Sequence, residues 1–360
     1  MSFLSRPFLS RRLYCSAAAY TGSIIRNLPV VFCLLWSSSL FAAEPFRFAE
    51  NNKKQLTLTE GLLPVLTYQF GTIEHENVPK TDKRRTAGCY IHPLHGINGE
   101  ILTDNAPKDH YHHHGIFWTW PHVSTHEPDG KTTEYDLWTS NTELKQHFVR
   151  WIEKTVSEEK AVFAVENGWF IGKPEDGKKI MTEQVKVIVR RRQTEPDGFT
   201  SRAVDFELTW QPVDKPVTLR GSEGKSYGGF SIRFKPATAV PPDERPPITL
   251  TGKKGVNRIT TPTGIAEKDL PETPLAWADY TSLFDDKKSG AAIFVPKNHP
   301  DYPPTWLTRY YGPLCVGYPG VKGKTFQPDE KLELRYRVWI HRSNVTLPQI
   351  ENAYEQYNGK

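Results

Sequence analysis

Residues 202–210 (RAVDFELTW) and 332–341 (LELRYRVWIH) alternate apolar and polar side chains. Successive side chains of a β-strand point to opposite faces, so this period of two predicts strands with one buried face. The same alternation occurs in six further segments, which are residues 55–59, 65–70, 161–165, 183–191, 229–234 and 291–295. The sequence therefore predicts an all-β fold.

Turn signals separate these segments. Pro-Asp-Gly occurs at 128–130 and 196–198, and the 29 prolines and 25 glycines suit short strands joined by turns. No repeat of a propeller blade's length is present, so we expect a large antiparallel β-sandwich. It is predicted as a single domain over residues 44–360, with the proline-rich stretch 236–247 as a long loop. Residues 347–357 have helical spacing and predict a short C-terminal helix.

Residues 1–43 have the order of a signal peptide. They contain four arginines and no acidic residue, then the apolar run 28–40, and end in Ala42 and Ala43. The run is too short for the roughly 20 residues that span a bilayer. We therefore expect a periplasmic or extracellular protein; an uncleaved N-terminal anchor is the alternative, because Phe41 disturbs the cleavage signature.

The net charge and the number of cysteines both fall when residues 1–43 are left out of the count. The chain has 46 basic and 41 acidic residues, and four of the basic ones lie in the leader. The remaining chain is nearly neutral, which argues against nucleic acid or an anionic membrane as a partner. Cys89 and Cys315 remain, and they could form a disulfide or serve as small buried apolar residues.

Eight of the twelve histidines lie between positions 92 and 126, with the densest group in residues 109–115 (DHYHHHG). In a strand, His110, His112 and His114 would share one face. Such a face could bind zinc or another divalent metal, with a third ligand from Asp104, Asp109, His92 or His95. Alternatively, an imidazole could act as a general acid or base, or some of these histidines could simply pack in loops.

Two acidic residues lie in predicted strands. Glu183 shares a face with Val185 and Val187, which favours a semi-buried carboxylate with a raised pKa. Asp205 shares a face with Ala203 and Glu207, which favours solvent exposure. The predicted catalytic residues are accordingly His110, His112, His113 and Glu183.

Residues 299–312 (HPDYPPTWLTRYYG) combine four aromatic residues, an arginine and a histidine in a segment stiffened by proline. Sugar sites use aromatic faces and a few fixed polar groups, although the same aromatics could fill a core. The predicted substrate-binding residues are Trp118, Arg233, His299, Trp306, Arg309 and Tyr310.

Four motifs resemble the PmoA-like family of secreted bacterial proteins. They are residues 108–115 (KDHYHHHG), 227–230 (YGGF) with Arg233, 277–280 (WADY) and the 299–312 segment. The family pattern Asp-His-Pro-His-His-Arg-Gly has Tyr111 and His114 here in place of proline and arginine. The family name implies a copper-dependent oxygenase subunit, but such membrane-integral subunits need several spanning helices. The family is more similar to the β-sandwich of sugar mutarotases and related lyases and hydrolases, a likeness of fold and not of chemistry.

The leading hypothesis is a secreted carbohydrate-active enzyme of the epimerase, lyase or hydrolase type, with a histidine-rich groove that accepts a glycan or glycoside. The alternative is a noncatalytic glycan-binding protein that uses the same groove. A metal-dependent oxidoreductase is the third hypothesis. A divalent metal is the candidate cofactor, and the expected partner is a small carbohydrate or a polysaccharide.

Overall fold

A computed structural model describes residues 45–235, 257–342 and 345–359. The predicted signal peptide, residues 1–43, and the predicted loop at 236–247 lie outside the described residues. All strand pairs given below are antiparallel.

The first large sheet, sheet A, has nine strands among the described residues. In spatial order they are β1 (Phe46–Asn51), β2 (Gln55–Glu60), β3 (Leu63–Gln69), β6 (Tyr90–Leu94), β7 (Ile116–Thr119), β16 (Gly229–Arg233), β23 (Pro313–Gly317), β22 (Thr305–Thr308) and β19 (Leu270–Pro274).

The second large sheet, sheet B, has ten strands in the described part of the chain. Their order is β10 (Leu144–Val156), β11 (Lys160–Ile171), β12 (Lys178–Arg190), β14 (Thr200–Pro212), β25 (Leu332–Arg342), β21 (Lys287–Phe294), β20 (Trp277–Phe284), β17 (Arg258–Thr261) and β18 (Gly264–Ile265), with β13 (Gln193–Thr194) paired to β14. Two smaller sheets complete the strands: β24 (Lys324–Phe326), β15 (Val217–Arg220), β8 (His122–His126) and β9 (Thr132–Tyr135), and the pair β4 (Ile73–Glu74) and β5 (Thr86–Ala87).

The two large sheets pack face to face through buried aromatic rings. Tyr68 of sheet A lies with its ring centroid 5.3 Å from that of Phe163 in sheet B. Phe230 stacks on Tyr336 in the same way, at 4.8 Å. Burial of each such side chain contributes roughly 1.5–3 kcal/mol to folding. The predicted all-β sandwich is therefore confirmed.

Strands β14 and β25, whose alternation predicted the fold, pair along their whole length. Phe206 lies opposite Tyr336 on the buried face, as the period of two requires. Asp205 lies opposite Arg337 on the other face, but it is buried and not solvated as expected. Its carboxylate accepts a hydrogen bond of 2.9 Å from Arg337 Nη2, and the guanidinium of Arg337 lies 4.6 Å from the ring of Tyr357.

The predicted C-terminal helix is confirmed as α1 (Leu347–Asn358). It begins after Thr346, whose backbone N–H donates to the side chain of Gln349 (3.0 Å). Ile350 and Tyr354 face sheet B and pack with Trp277, Phe294 and Trp339 in a second core. Among the described residues, no helix is long and apolar enough to cross a membrane.

Strand β10 forms an edge of sheet B and is irregular. Its pairing with β11 shifts register between Phe148 and Arg150 and again between Trp151 and Glu153. Such shifts are typical of β-bulges, which bend a strand and increase its twist. Three of its apolar side chains are exposed: Val149, Ile152 and Val156.

Candidate functional site

The histidine segment forms turns and not the strand considered above. The backbone N–H of His110 donates to Pro107 O (2.9 Å), and that of His113 donates to His110 O (3.0 Å). Gly115 then adopts a positive φ of 54°, and a Cβ there would lie 2.0 Å from Ile91 O. The glycine therefore allows the chain to leave the turns and enter β7 close against β6.

The segment opens onto a cleft of about 190 Å³, here called the histidine cleft. Its walls come from the turns before β7, the loop after β9, the loop before β16 and the β22–β23 hairpin. The lining residues are His110, His112, His113, Trp138, Thr139, Lys225, Tyr227, Leu307, Arg309, Tyr311, Pro313 and Cys315.

The rings of this cleft are ordered by stacking. His110 lies between His113 and Tyr311, parallel to both, at centroid distances of 4.6 and 5.2 Å. His112 stands edge-on to His113 at 4.6 Å. This packing fixes the orientation of His110, whose side chain still retains 30% of its exposure.

An ion pair supports the stack. Arg233, in β16, is 2% exposed, and its Nη2 atom lies 3.1 and 3.0 Å from the two carboxylate oxygens of Asp109. The Asp109 Oδ2 atom is also 3.0 Å from Nδ1 of His110. The guanidinium of Arg233 lies 4.8 Å from the ring centre of Tyr311. Partial burial would raise the pKa of Asp109, but His110 and Arg233 outweigh it and hold this pKa well below its ordinary value.

Two of the histidines are kept neutral. Burial, with the charges of His110 and Arg84, lowers the pKa of His112 to about 3. Burial and the neighbouring His112 lower the pKa of His113 well below its ordinary value. Burial also raises the pKa of Tyr311 to about 12, so its hydroxyl is protonated at neutral pH. Near pH 7 these three groups offer uncharged hydrogen-bonding atoms.

A smaller pocket of about 50 Å³ adjoins the cleft, because His112 and Trp138 line both. Lys145 lies in its wall and donates a hydrogen bond to Ser140 O. Burial, together with the charge of Lys83, lowers the pKa of Lys145 to about 8. Its ammonium group is thus more readily deprotonated than that of an exposed lysine.

The structure brings some of the predicted site residues together. His110, His112, His113 and Arg309 line the histidine cleft, and Arg233 lies beneath it in contact with Asp109. Arg309 also binds Asp269, with Nη1 2.8 Å from Oδ2.

Glu183 lies elsewhere, fully buried between the sheets. Its carboxylate accepts four hydrogen bonds of 2.8 to 2.9 Å, from the side chains of Gln146, Asn167, Trp169 and Trp210. Four donors occupy the lone pairs of one carboxylate, so Glu183 is placed to hold β10, β11, β12 and β14 together. It does not line the cleft.

The remaining predicted sugar contacts are packed inside the protein. Trp118 and Trp306 have no exposed surface, and the indole N–H of Trp306 donates to Leu275 O (2.8 Å). The hydroxyl of Tyr310 donates to Ala266 O. His299 is buried with Nε2 3.2 Å from the hydroxyl of Tyr336. None of these four lines the histidine cleft.

Sequence reasoning did not select several cleft residues. Trp138 and Tyr227 face each other with ring centroids 4.6 Å apart, and Lys225 lies beside them. Tyr227 and Tyr311 lie in the motifs 227–230 and 299–312, and the family resemblance of these motifs was the sequence signal that could have identified them. Trp138 lies in a segment without regular alternation, so no pattern marked it.

A divalent metal was the candidate cofactor. Within the described residues, no group of three or more His, Cys, Asp or Glu side chains is placed to hold a metal ion. Asp109, the nearest carboxylate to the histidines, is bound to Arg233. The side chains of the described residues therefore do not fit a divalent metal.

Cys89 and Cys315 are both buried, and they form no disulfide with each other.

Residues 55–355 match DUF6807, a family of unknown function, and this match supports no PmoA-like name. No curated protein matches the chain. Among solved structures, a polysaccharide lyase is similar at 9% identity, with 84% of this chain and 33% of that chain covered and a TM-score of 0.20. The chain thus spans about a third of that lyase's length, and a TM-score of this size does not establish a shared fold.

Proposed function

This chain belongs to DUF6807, a family of unknown function, and from its own cleft we propose that it is an exported carbohydrate-active enzyme with acid–base chemistry. The contact between Asp109 and His110 carries the proposal. The charge of the Asp109 carboxylate, 3.0 Å from Nδ1 but outside hydrogen-bond geometry, favours the imidazole tautomer with the proton on Nδ1, and this tautomer leaves Nε2 as the proton acceptor.

His110 is the best-placed proton acceptor among the predicted catalytic residues. It is more exposed than His113, on which it stacks, and the carboxylate of the Arg233–Asp109 pair lies against its Nδ1 atom. The ring of Tyr311 is parallel to that of His110, with the centroids 5.2 Å apart. Its hydroxyl is protonated and can donate a proton to the oxygen of a leaving group. An acceptor and a donor in one cleft are the minimum for an epimerase, lyase or hydrolase.

The aromatic residues beside the histidines support binding of a sugar. Tyr227 is half-buried and packs on the buried Trp138, and pyranose rings pack their C–H faces on aromatic surfaces of this kind. Arg309 and Lys225 add charged donors at the rim, suited to hydroxyl or carboxylate oxygens. Apolar surface with a few directed polar groups is typical of small-molecule sites.

Noncatalytic glycan binding is the second candidate. The low pKa of His112 and of His113 supports it, because imidazoles that stay neutral serve as hydrogen-bonding groups and are weak bases. In that case the cleft would hold a glycan without transferring protons.

The deciding experiment is a panel of polysaccharides and glycosides, with binding and product release scored separately for the wild type and for His110→Ala. His122→Ala is the matched control, because His122 also contacts a carboxylate (Glu134, 2.8 Å) but lies outside the cleft. We expect product release that falls about 100-fold or more in His110→Ala and is unchanged in His122→Ala. Binding without release by the wild type would favour the second candidate.

Export is tested separately. If the leader is removed, the N-terminus of protein recovered from the periplasm or medium should lie near residue 44. Recovery of the intact chain in the membrane fraction would instead indicate the uncleaved anchor.

A further inference from the structure

A second polar cavity lies apart from the histidine cleft. It has a volume of about 390 Å³ and shares no lining residue with the cleft. Its walls come from the ends of β2, β12 and β25, the start of β14, and the turn after β6. The lining residues are Glu60, Ile97, Asn98, Arg191, Arg192, Thr194, Thr200 and Arg342. We call it the arginine pocket.

Glu60 is the centre of this pocket. It is 1% exposed, and its carboxylate contacts Arg191 (3.3 Å), Arg192 (3.4 Å) and Arg202. A carboxylate beside several guanidinium groups is ionised, so the pocket floor holds one negative charge among positive ones. Arg342 adds a further guanidinium to the wall, and no ion pair of Arg342 occurs among the described residues.

Arg202 does not line the pocket, but it contacts Glu60 and adds a positive charge behind the pocket floor. It is 5% exposed, and its Nη1 atom is buried with no hydrogen-bond partner in the described part of the chain. Burial lowers the pKa of Arg202 to about 10, which still leaves it charged at neutral pH. A buried guanidinium with an unused donor is costly unless another acceptor approaches.

We propose that the arginine pocket binds an oxyanion, either a carboxylate or a sulfate group. Guanidinium forks match the planar and tetrahedral arrangements of such oxygens, and they bind them more tightly than ammonium groups do. The hydroxyls of Thr194 and Thr200 hydrogen-bond to each other (3.2 Å) at the same wall and give it a polar surface. The volume of the pocket admits a group as large as a sugar acid.

The oxyanion could be a free ion or the acid group of a sugar, and the test separates the two. Thermal unfolding of the whole protein is measured with sodium sulfate, acetate or glucuronate, each against sodium chloride at equal ionic strength. A ligand that binds only the folded state raises the melting temperature with concentration, and the dependence yields a dissociation constant. A stronger effect of glucuronate than of acetate assigns the pocket to a sugar acid, and equal effects assign it to a free anion.

Variants locate the site. Arg342→Ala, an exposed position at the end of β25, should weaken binding at least fivefold. Arg342→Lys should recover part of it, because it keeps the charge and loses the fork. Arg335→Ala is the control, since it removes the same charge from an exposed position of the same strand.

Two results would overturn the proposal. One is stabilisation by the three anions that is the same in the wild type and in Arg342→Ala, because sulfate also stabilises folded proteins by its exclusion from their surface. The other is an equal loss of binding in Arg342→Ala and Arg335→Ala, which would indicate a general charge effect. Neither variant touches the histidine cleft, so either failure leaves the proposed function standing.

Discussion

Arg233 and Asp109 are 124 residues apart in the chain, yet Nη2 of one lies 3.0 and 3.1 Å from the carboxylate oxygens of the other. The pair joins β16 to the turns that carry the histidines. Arg233 is almost fully buried. The Asp109 carboxylate balances its positive charge, and the ring of Tyr311 lies against its guanidinium group. The pair is therefore both a structural link and the support of His110.

Asp109→Asn should show both roles. It leaves a buried guanidinium uncompensated, and we expect the free energy of unfolding to fall by about 2–4 kcal/mol. Turnover should also fall, but by less than in His110→Ala, because the imidazole remains and loses only its orienting carboxylate. Urea unfolding measures the first effect. Asp285→Asn is the control: it breaks an exposed pair with Lys235 and should cost less than about 1 kcal/mol. Equal costs in the two variants would contradict this account.

Glu183→Gln should destabilise the protein without a direct effect on the cleft. One carboxylate oxygen becomes an amide nitrogen, which is itself a donor and faces other donors. We therefore expect the free energy of unfolding to fall by about 3–5 kcal/mol. Glu207→Gln, at a partly exposed position of the same sheet, should change stability by less than about 1 kcal/mol. A variant that folds normally but loses turnover would show instead that Glu183 takes part in the chemistry.

Stability should fall between pH 6.5 and pH 5. Burial lowers the pKa of His92 and of His299 to about 4, and that of His112 to about 3. In the unfolded chain these groups take up protons near pH 6.5, so the unfolded state binds more protons as the pH falls. Each contributes a slope of about 1.4 kcal/mol per pH unit.

Urea unfolding at pH 7, 6 and 5 checks this slope. Carboxylates titrate mostly below this window in the unfolded chain, so the histidines dominate it. The variant His299→Gln should flatten the slope by the contribution of one group. An unchanged slope would mean that folding does not alter the pKa of His299.

Tyr227→Ala should weaken glycan binding about five- to tenfold, which corresponds to the roughly 1 kcal/mol that an aromatic face supplies. Tyr227→Phe keeps the ring and is the control. Calorimetric titration with the best ligand from the panel measures both. Equal losses in the two variants would point to the hydroxyl and not to stacking.

Gly115→Ala should be far more costly than Gly130→Ala. Both glycines have positive φ, at 54° and 86°, so both substitutions strain the backbone by about 1–3 kcal/mol. Only at Gly115 does the new Cβ meet a backbone oxygen, that of Ile91. We expect a further loss of about 2 kcal/mol or more there, measured by thermal unfolding. Similar values would show that β6 and β7 can move apart.

The strands were predictable because each alternates against a buried face. Periodicity gave β14 and β25 nearly to their ends, and it placed Glu183 on an inner face beside Val185. It could not show that three neighbouring strands supply indole and amide donors for that carboxylate. The burial of Asp205 was not predicted, because α1 covers a face of the sheet that the alternation of β14 and β25 marks as polar.

The histidine cleft was only partly predictable. His110 and Arg309 were predicted from residue type alone, because each lies in a short segment rich in histidine or aromatic residues. Their neighbours Trp138 and Tyr227 come from loops without a period, and only tertiary packing brings them together. The turn geometry at His110 depends on hydrogen bonds to Pro107, which a strand interpretation of the segment ignores.

The irregular edge strand β10 bears on how the protein behaves at high concentration. No other described strand pairs with the outer side of β10, and an edge with exposed valine and isoleucine is a template on which another chain can add a strand and begin aggregation. The two register shifts in β10 twist this edge, and Arg150, Glu153 and Lys154 place charges along it. A neighbouring chain would have to match both the bend and the charges, so these features should hinder the addition of another strand at β10.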